Sequence, residues 1–233
     1  ATALAAGNTV LFKPACNAVF IGKKIDDLFQ AAGFPKGVVN TVMVKGKDAP
    51  VITQHPDVNK IVFTGSTAVG LKIMGAAAEG IKPVLLELGG NDPAVVAADA
   101  DVTRAAKGIV WGAMFSAGQV CVSVERAYVE RAVAGQFIEA CVEEAAKIRV
   151  GDPLNKDTDM GPLSDRQQLN TVTAHVEDAV SKGAEIRIGG KRKGKTGYFY
   201  EPTILSAVDH SMAVMVEETF GPVLPIMVVD SIE

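Results

Sequence analysis

Cysteine is scarce in this sequence: Cys16, Cys121 and Cys141 are odd in number and far apart. Such spacing implies no disulfide framework, and a reducing, cytoplasmic compartment fits it best. Histidine is as scarce, and His55, His175 and His210 make no metal-ligand spacing with the cysteines. No apolar run approaches the ~18 residues needed to span a bilayer, so no membrane partner is expected. The opening residues do not read as a signal peptide. An excess of positive charge is also missing. The formal net charge of −4 argues against a non-specific nucleic-acid binder. The one basic cluster, Lys191, Arg192, Lys193 and Lys195, lies among Gly189, Gly190, Gly194 and Gly197 and reads as an exposed loop. An initiator Met is lacking too. The chain opens at Ala1 and stops just after the apolar run 224–229, so both ends read as cut and the whole as an excerpt of something larger.

What is present is ordinary globular composition. With 48% hydrophobic and 21% charged residues over 233 positions, the chain can bury a substantial core in one or two domains. Short apolar segments alternate with helical patterns through the first half. Strands are predicted over 8–13, 38–44, 60–64 and 82–87, with helices over 19–32, 49–55 and 68–78. Helices of this length between strands imply parallel crossovers and an open α/β sheet, whose ligands bind at the carboxyl ends of the strands. After Gly90 the pattern restarts. A strand is predicted over 93–96, a helix over 102–115 capped by Asp101, and another over 133–148. Ser164 and Gln167 form a capping-box pattern for a helix ending near Gly183. The first six residues read as the last turns of a helix. A boundary near Gly89–Gly90 therefore separates two α/β units, over 1–89 and 90–233.

Four places carry chemistry. Cys121 follows a predicted helix in Phe115-Ser-Ala-Gly-Gln-Val-Cys121, a glycine-containing connection rather than a periodic apolar face. Free thiols are more often buried packing groups than nucleophiles, and Cys141 fits that case, since it falls on the apolar stripe of its helix. Glu87 ends the apolar run Leu85-Leu-Glu87, where desolvation would raise a carboxyl toward the range of a general base. A structural salt bridge is an equal reading. Gly65-Ser-Thr-Ala-Val-Gly70 follows a strand and opens a helix, the geometry that presents backbone N–H groups to a pyrophosphate, although short glycine motifs are weak signals. Glu217-Glu-Thr-Phe-Gly-Pro222 reads locally as a solvated acidic loop.

Taken in order, Asn8-Thr-Val-Leu-Phe-Lys-Pro14, Phe63-Thr-Gly-Ser-Thr-Ala-Val-Gly70, Glu87-Leu-Gly-Gly90, Gly118-Gln-Val-Cys121 and Glu218-Thr-Phe-Gly-Pro222 resemble the aldehyde dehydrogenase superfamily from end to end. The resemblance implies an α/β fold in which part of a Rossmann-type cofactor domain (1–89) precedes part of an α/β catalytic domain (90–233). It implies Cys121 as the nucleophile and Glu87 as the general base of an NAD(P)-dependent oxidation of an aldehyde to the acid, through a thiohemiacetal and a thioester. Lys13, Gly65, Ser66, Gly70, Leu88, Glu218 and Phe220 would bind the cofactor, and the full-length parent would be a homo-oligomer.

Two departures from the family pattern bear on specificity. NAD-committed members often carry Glu three residues after the strand-end Lys, where it repels a 2′-phosphate. Here that position is Cys16, so NAD is the first choice on family frequency while NADP stays open. Members handling dicarboxylic semialdehydes often carry Arg six residues before the nucleophile, where this chain has Phe115, which favours an uncharged apolar aldehyde. The alternative from another class is an inactive cofactor-binding or assembly fragment. A different Cys-based acyl-transfer enzyme would need a catalytic His, and none of the three falls in a motif.

Overall fold

The computed structural model describes residues 2–232, and these divide into two compact units, Ala1–Leu88 and Gly89–Glu233. In the first unit the order is α1 (Thr2–Ala5), β1 (Val10–Phe12), α2 (Val19–Ala31), β2 (Val39–Thr41), α3 (Pro50–Thr53), β3 (Ile61–Thr64), α4 (Thr67–Glu79) and β4 (Val84–Glu87). The helix expected over the first six residues is α1; Ala1 lies outside the described residues. Every predicted strand and helix of this half is present, most of them trimmed at the ends and α4 one residue longer at each. The sheet is not the single open one expected. β1 pairs in parallel with β2, and β3 with β4, as two separate two-stranded sheets. A crossover helix links each pair, α2 the first and α4 the second, as parallel neighbours require.

The second unit runs β5 (Asp92–Val96), α5 (Val102–Met114), β6 (Val124–Glu130), α6 (Arg131–Ala146), α7 (Arg166–Ser181), β7 (Glu185–Ile188), β8 (Thr203–Ser206), α8 (Ala213–Val216) and β9 (Val223–Val229). Its five strands form one sheet in the order β5-β6-β9-β8-β7, parallel except for the β7–β8 hairpin. The Asp101 carboxylate accepts the Arg104 N–H at 3.0 Å and caps α5, as its position predicts. The cap of α7 is one residue later than expected. Asp165, not Ser164, accepts the Gln168 N–H, because the Ser164 backbone N–H is already donated to the Gln119 side chain.

The core lies in this unit. α6 contributes Ala134, Phe137, Ile138, Cys141 and Ala145, one stripe at helical spacing, and β8 and β9 bury Ile204, Leu205, Leu224 and Ile226. In β6 the inward positions are Glu125, Ala127 and Val129, an acid on a face otherwise apolar. Strands β6, β7 and β8 and helix α8 carry no sequence expectation. The basic cluster of 191–195 is an exposed loop as expected.

Candidate active site

Cys121 owes its position to how α5 ends. Phe115 leaves the helix with ψ 132°, and Ser116, Ala117 and Gly118 then take φ of 55°, 58° and 71°. Three left-handed residues in a row reverse the chain, and the two that are not glycine cost roughly 1–2 kcal/mol each. The turn is braced from outside. Gly118 lies against Gly221 so closely that a Cβ there would overlap the Gly221 carbonyl. The Gln119 amide donates to Ser116 O at 3.1 Å and Pro162 O at 3.4 Å, and its oxygen accepts the Ser164 N–H at 2.8 Å. Ser123 fixes the exit, its hydroxyl donating to Gly112 O at 3.1 Å. Cys121 is thereby exposed on a tethered turn, whereas Cys141 is wholly buried and burial pushes its thiol up to about 12. Phe115 and Trp111, both exposed, lie with ring centroids 5.2 Å apart at the start of the same turn.

The loop over 217–222 belongs to the same unit, and it is not the solvated loop its letters suggest. Thr219, Gly221 and Pro222 are buried. Glu218 Oε1 accepts the Gly90 N–H at 3.3 Å, and its carboxylate fills the space that a Cβ on Gly89 would need. Asn91 donates to Glu217 O at 3.2 Å. Phe220 has a left-handed φ of 49°, half-buried, with its backbone held by side chains from β6 and α7.

The remaining predicted residues lie in the first unit. Thr64 and Glu87 are register partners at the carboxyl ends of β3 and β4, and the Gly65 N–H donates to Glu87 O at 3.0 Å. Ser66 is the N-cap of α4 without a side-chain cap bond, so its hydroxyl is not spent on the helix. Gly70 is buried against Leu88, whose Cδ2 would lie 2.6 Å from a Cβ at that position. Val69 and Gly70 already donate their N–H groups to Ser66 O, at 3.1 and 2.9 Å, which leaves the Thr67 and Ala68 N–H groups at the start of α4 without an acceptor. Ser66, these amides and Gly65 therefore fit an anionic pyrophosphate group. Lys13 follows β1, in the other strand pair, with its ammonium donating to Pro14 O at 3.0 Å. The burial argument for Glu87 is overturned. Its side chain is exposed, because β4 alternates half-buried and exposed positions and Glu87 falls on the exposed parity. Among the described residues, no group of three or more His, Cys, Asp or Glu could hold a metal ion, and no helix is long and apolar enough to cross a membrane.

Comparison with known proteins decides the family. The model of the aldehyde dehydrogenase family matches residues 1–233. The chain belongs to the aldehyde dehydrogenase family. It is 42% identical over 234 residues to succinate-semialdehyde dehydrogenase (NADP+) 2 of Schizosaccharomyces pombe, covering 99% of this chain and 48% of that protein. It is 38% identical over 237 residues to human 4-trimethylaminobutyraldehyde dehydrogenase, again covering 99% and 48%. Among solved structures, an NADP-dependent enzyme of E. coli superposes with a TM-score of 0.94 at 40% identity, covering 98% of this chain and 48% of that one. Betaine aldehyde dehydrogenase of Staphylococcus aureus in complex with NAD+ gives 0.93 at 33% identity, covering 98% and 46%. The chain thus spans about half the length of the relatives it matches.

Three residues of this aldehyde dehydrogenase chain had no place in the sequence reading. Glu125, 3% exposed, accepts the Thr219 N–H at 2.9 Å and the Phe220 N–H at 3.0 Å. Desolvation pushes its carboxyl up to about 7, helped by nearby Glu218 and Asp92 and opposed by the two amide bonds. Gln168 donates to Thr219 O at 2.8 Å and Phe220 O at 2.9 Å. His175 Nδ1 lies 3.2 Å from the Thr219 hydroxyl, and burial lowers its proton affinity against the pull of Glu217 and Asp178. The one available signal was parity. Glu125 alternates with Ala127 and Val129, and His175 lies on the stripe of Leu169, Val172 and Val176.

Proposed function

We propose that this chain is the cofactor-binding and nucleophile-bearing part of an NAD(P)-dependent aldehyde dehydrogenase, which oxidises an aldehyde to the carboxylic acid. The observation that carries the reading is the exposed Cys121 thiol on its braced turn, beside a second thiol, Cys141, that the core has sealed off. A strained, over-determined backbone under a nucleophile is how proteins hold a reacting atom in place.

In this reading the Cys121 thiolate attacks the aldehyde carbonyl carbon, and the thiohemiacetal oxyanion takes a hydrogen bond from the Cys121 backbone N–H. Donors of that kind supply several kcal/mol, roughly 3–4 by mutagenesis in other enzymes. NAD+ or NADP+, when bound, supplies the hydride acceptor that takes the adduct to the thioester. Glu87 takes the proton of the water that cleaves the thioester and frees the thiol. Its carboxylate is exposed in this structure, so the role rests on the family resemblance and not on desolvation.

Lys13, Gly65, Ser66, Gly70 and Leu88 form the nucleotide side, and the Thr67 and Ala68 amides suit the pyrophosphate. Glu218 binds the nicotinamide ribose and Phe220 packs by the ring. One relative is named for NADP+ and another was solved in complex with NAD+, and with Cys16 in place of an acid the element that would repel a 2′-phosphate is missing at that position. The Phe115–Trp111 pair favours an apolar aldehyde. Three free cysteines suit a reducing, cytoplasmic setting. Family resemblance is what supports a homo-oligomeric full-length parent.

The test is the appearance of reduced nicotinamide absorbance when the purified chain receives NAD+ or NADP+ and a simple aliphatic aldehyde. Turnover supports the enzymatic reading. Cofactor binding without turnover leaves an inactive cofactor-binding or assembly fragment, a reading favoured by the chain's spanning about half of its relatives.

A further inference from the structure

Thr219 and Phe220 have all four of their backbone polar groups bonded by just two side chains. Glu125 takes both N–H groups, at 2.9 and 3.0 Å, and Gln168 takes both carbonyls, at 2.8 and 2.9 Å. Successive N–H groups converge on one point only when the backbone leaves extended geometry, and the left-handed φ of Phe220 does that here. The result is a nest of the kind that binds anions, and the anion it holds is the protein's own carboxylate.

A charge in that position is otherwise hard to account for. Glu125 is buried on the apolar face of β6, where Ala127 and Val129 show what the strand accepts. The charged groups that act on it from neighbouring elements are Glu218 on the loop and Asp92 on β5, both of its own sign. Arg126, next in the chain, points to the other face and donates to Met215 O at 2.8 Å. Among the described residues no cation acts on it to offset the desolvation. What the carboxylate does uniquely is accept two consecutive amides and so set the direction of the side chains on either side of them. Those side chains are Glu218, aimed at the Gly89–Gly90 backbone, and Phe220.

We infer that Glu125 and Gln168 are positioning residues that clamp the 218–220 loop and thereby set the protein's affinity for the nicotinamide nucleoside half of its dinucleotide. The inference rests on the reading that Glu218 and Phe220 meet that half. A generic scaffold role would weaken every ligand alike. A clamp on this loop spares the adenosine half, to which neither Glu218 nor Phe220 is assigned.

The test measures binding of NAD+ or NADP+, whichever the wild type holds more tightly, and separately of ADP, which carries only the adenosine half. In the full protein, Glu125→Ala should raise the dinucleotide Kd by roughly tenfold, the scale of one hydrogen bond, with ADP affinity unchanged. Glu125→Gln, which keeps one acceptor oxygen, should fall between, and Gln168→Ala should follow the same split. These two variants carry the test if Glu125→Ala does not fold. Unchanged dinucleotide affinity in a folded variant overturns the clamp and leaves the functional reading intact. Equal weakening of dinucleotide and ADP also overturns it, and makes Glu125 purely structural. A wild type that binds neither dinucleotide overturns the functional reading itself and the clamp with it.

Discussion

Gly118 lies against Gly221 with no room for a methyl group between them, and this contact joins the turn that carries Cys121 to the loop that carries Glu218 and Phe220. Gly118 also has a φ of 71°, so two separate constraints select glycine there. Gly118→Ala should therefore destabilise the second unit by about 2–5 kcal/mol, the sum of left-handed strain and local overpacking. Thermal unfolding checks the cost, and iodoacetamide alkylation of Cys121 checks the displacement. An unchanged midpoint with unchanged alkylation would show that the contact is slack.

The cysteines should separate by reactivity. Cys141 is fully buried with its thiol pushed up to about 12, so alkylation under native conditions should spare it and modify Cys16 and Cys121, which are exposed. Peptide mapping by mass spectrometry reads this directly. In the same protein Cys121→Ala should abolish aldehyde oxidation and leave dinucleotide affinity within about twofold, since the change removes only a uniquely reacting atom. Oxidation at the wild-type rate would remove Cys121 as nucleophile.

Glu125 makes stability depend on pH. Its folded pKa of about 7 stands above the ordinary 4.5, so between those values the folded state binds the proton that the unfolded state has released. Stability should then fall as pH rises from about 4.5 to about 7, by on the order of 3 kcal/mol, and level off above. Glu125→Gln cannot ionise, so this slope should vanish from its urea midpoints. Parallel profiles for wild type and variant would show that the buried carboxyl titrates normally.

His175 contributes an opposite, more acidic dependence. Burial lowers its proton affinity, so the unfolded state binds the proton first and stability should decline as pH falls below about 6.5. His175→Gln should flatten that limb and keep a hydrogen bond to the Thr219 hydroxyl. Because Glu125 acts in the opposite sense over the same window, the comparison belongs in the Glu125→Gln background, where urea midpoints from pH 7 down to 5 would show a persisting decline if another group is responsible.

Glu87→Gln addresses the base. With hydride transfer intact and deacylation slowed, stopped-flow mixing should give a burst of reduced cofactor followed by a steady rate lower by about 100-fold or more. A wild-type steady rate without a burst would assign the water to another base.

Much of the architecture could be read from the letters because it rests on local rules. Alternating apolar segments and helical stripes place α2, α4, α5, α6 and α7, and the Asp101 cap needs only its own first turn. Two of the missed strands, β6 and β7, have patterns that are not self-contained, and β8 is only four residues long. β6 interrupts its apolar alternation with Glu125, and β7 has three exposed residues of four, so neither stands out from a loop by composition. The shift of the α7 cap from Ser164 to Asp165 depends on Gln119, a residue far along the chain.

The chemistry divides along the same line. By its order of residues alone the sequence determined the family, the exposed-loop character of the basic cluster, and the distinction between Cys121 in a connection and Cys141 on a helical stripe. These follow from spacing, and spacing is what a sequence records. Only the tertiary structure decided that Glu87 is exposed rather than buried, and that the 217–222 loop is pinned within the second unit rather than solvated. Both outcomes turn on which distant groups desolvate or bond a polar atom, and that free energy belongs to the folded neighbourhood, not to any residue by itself.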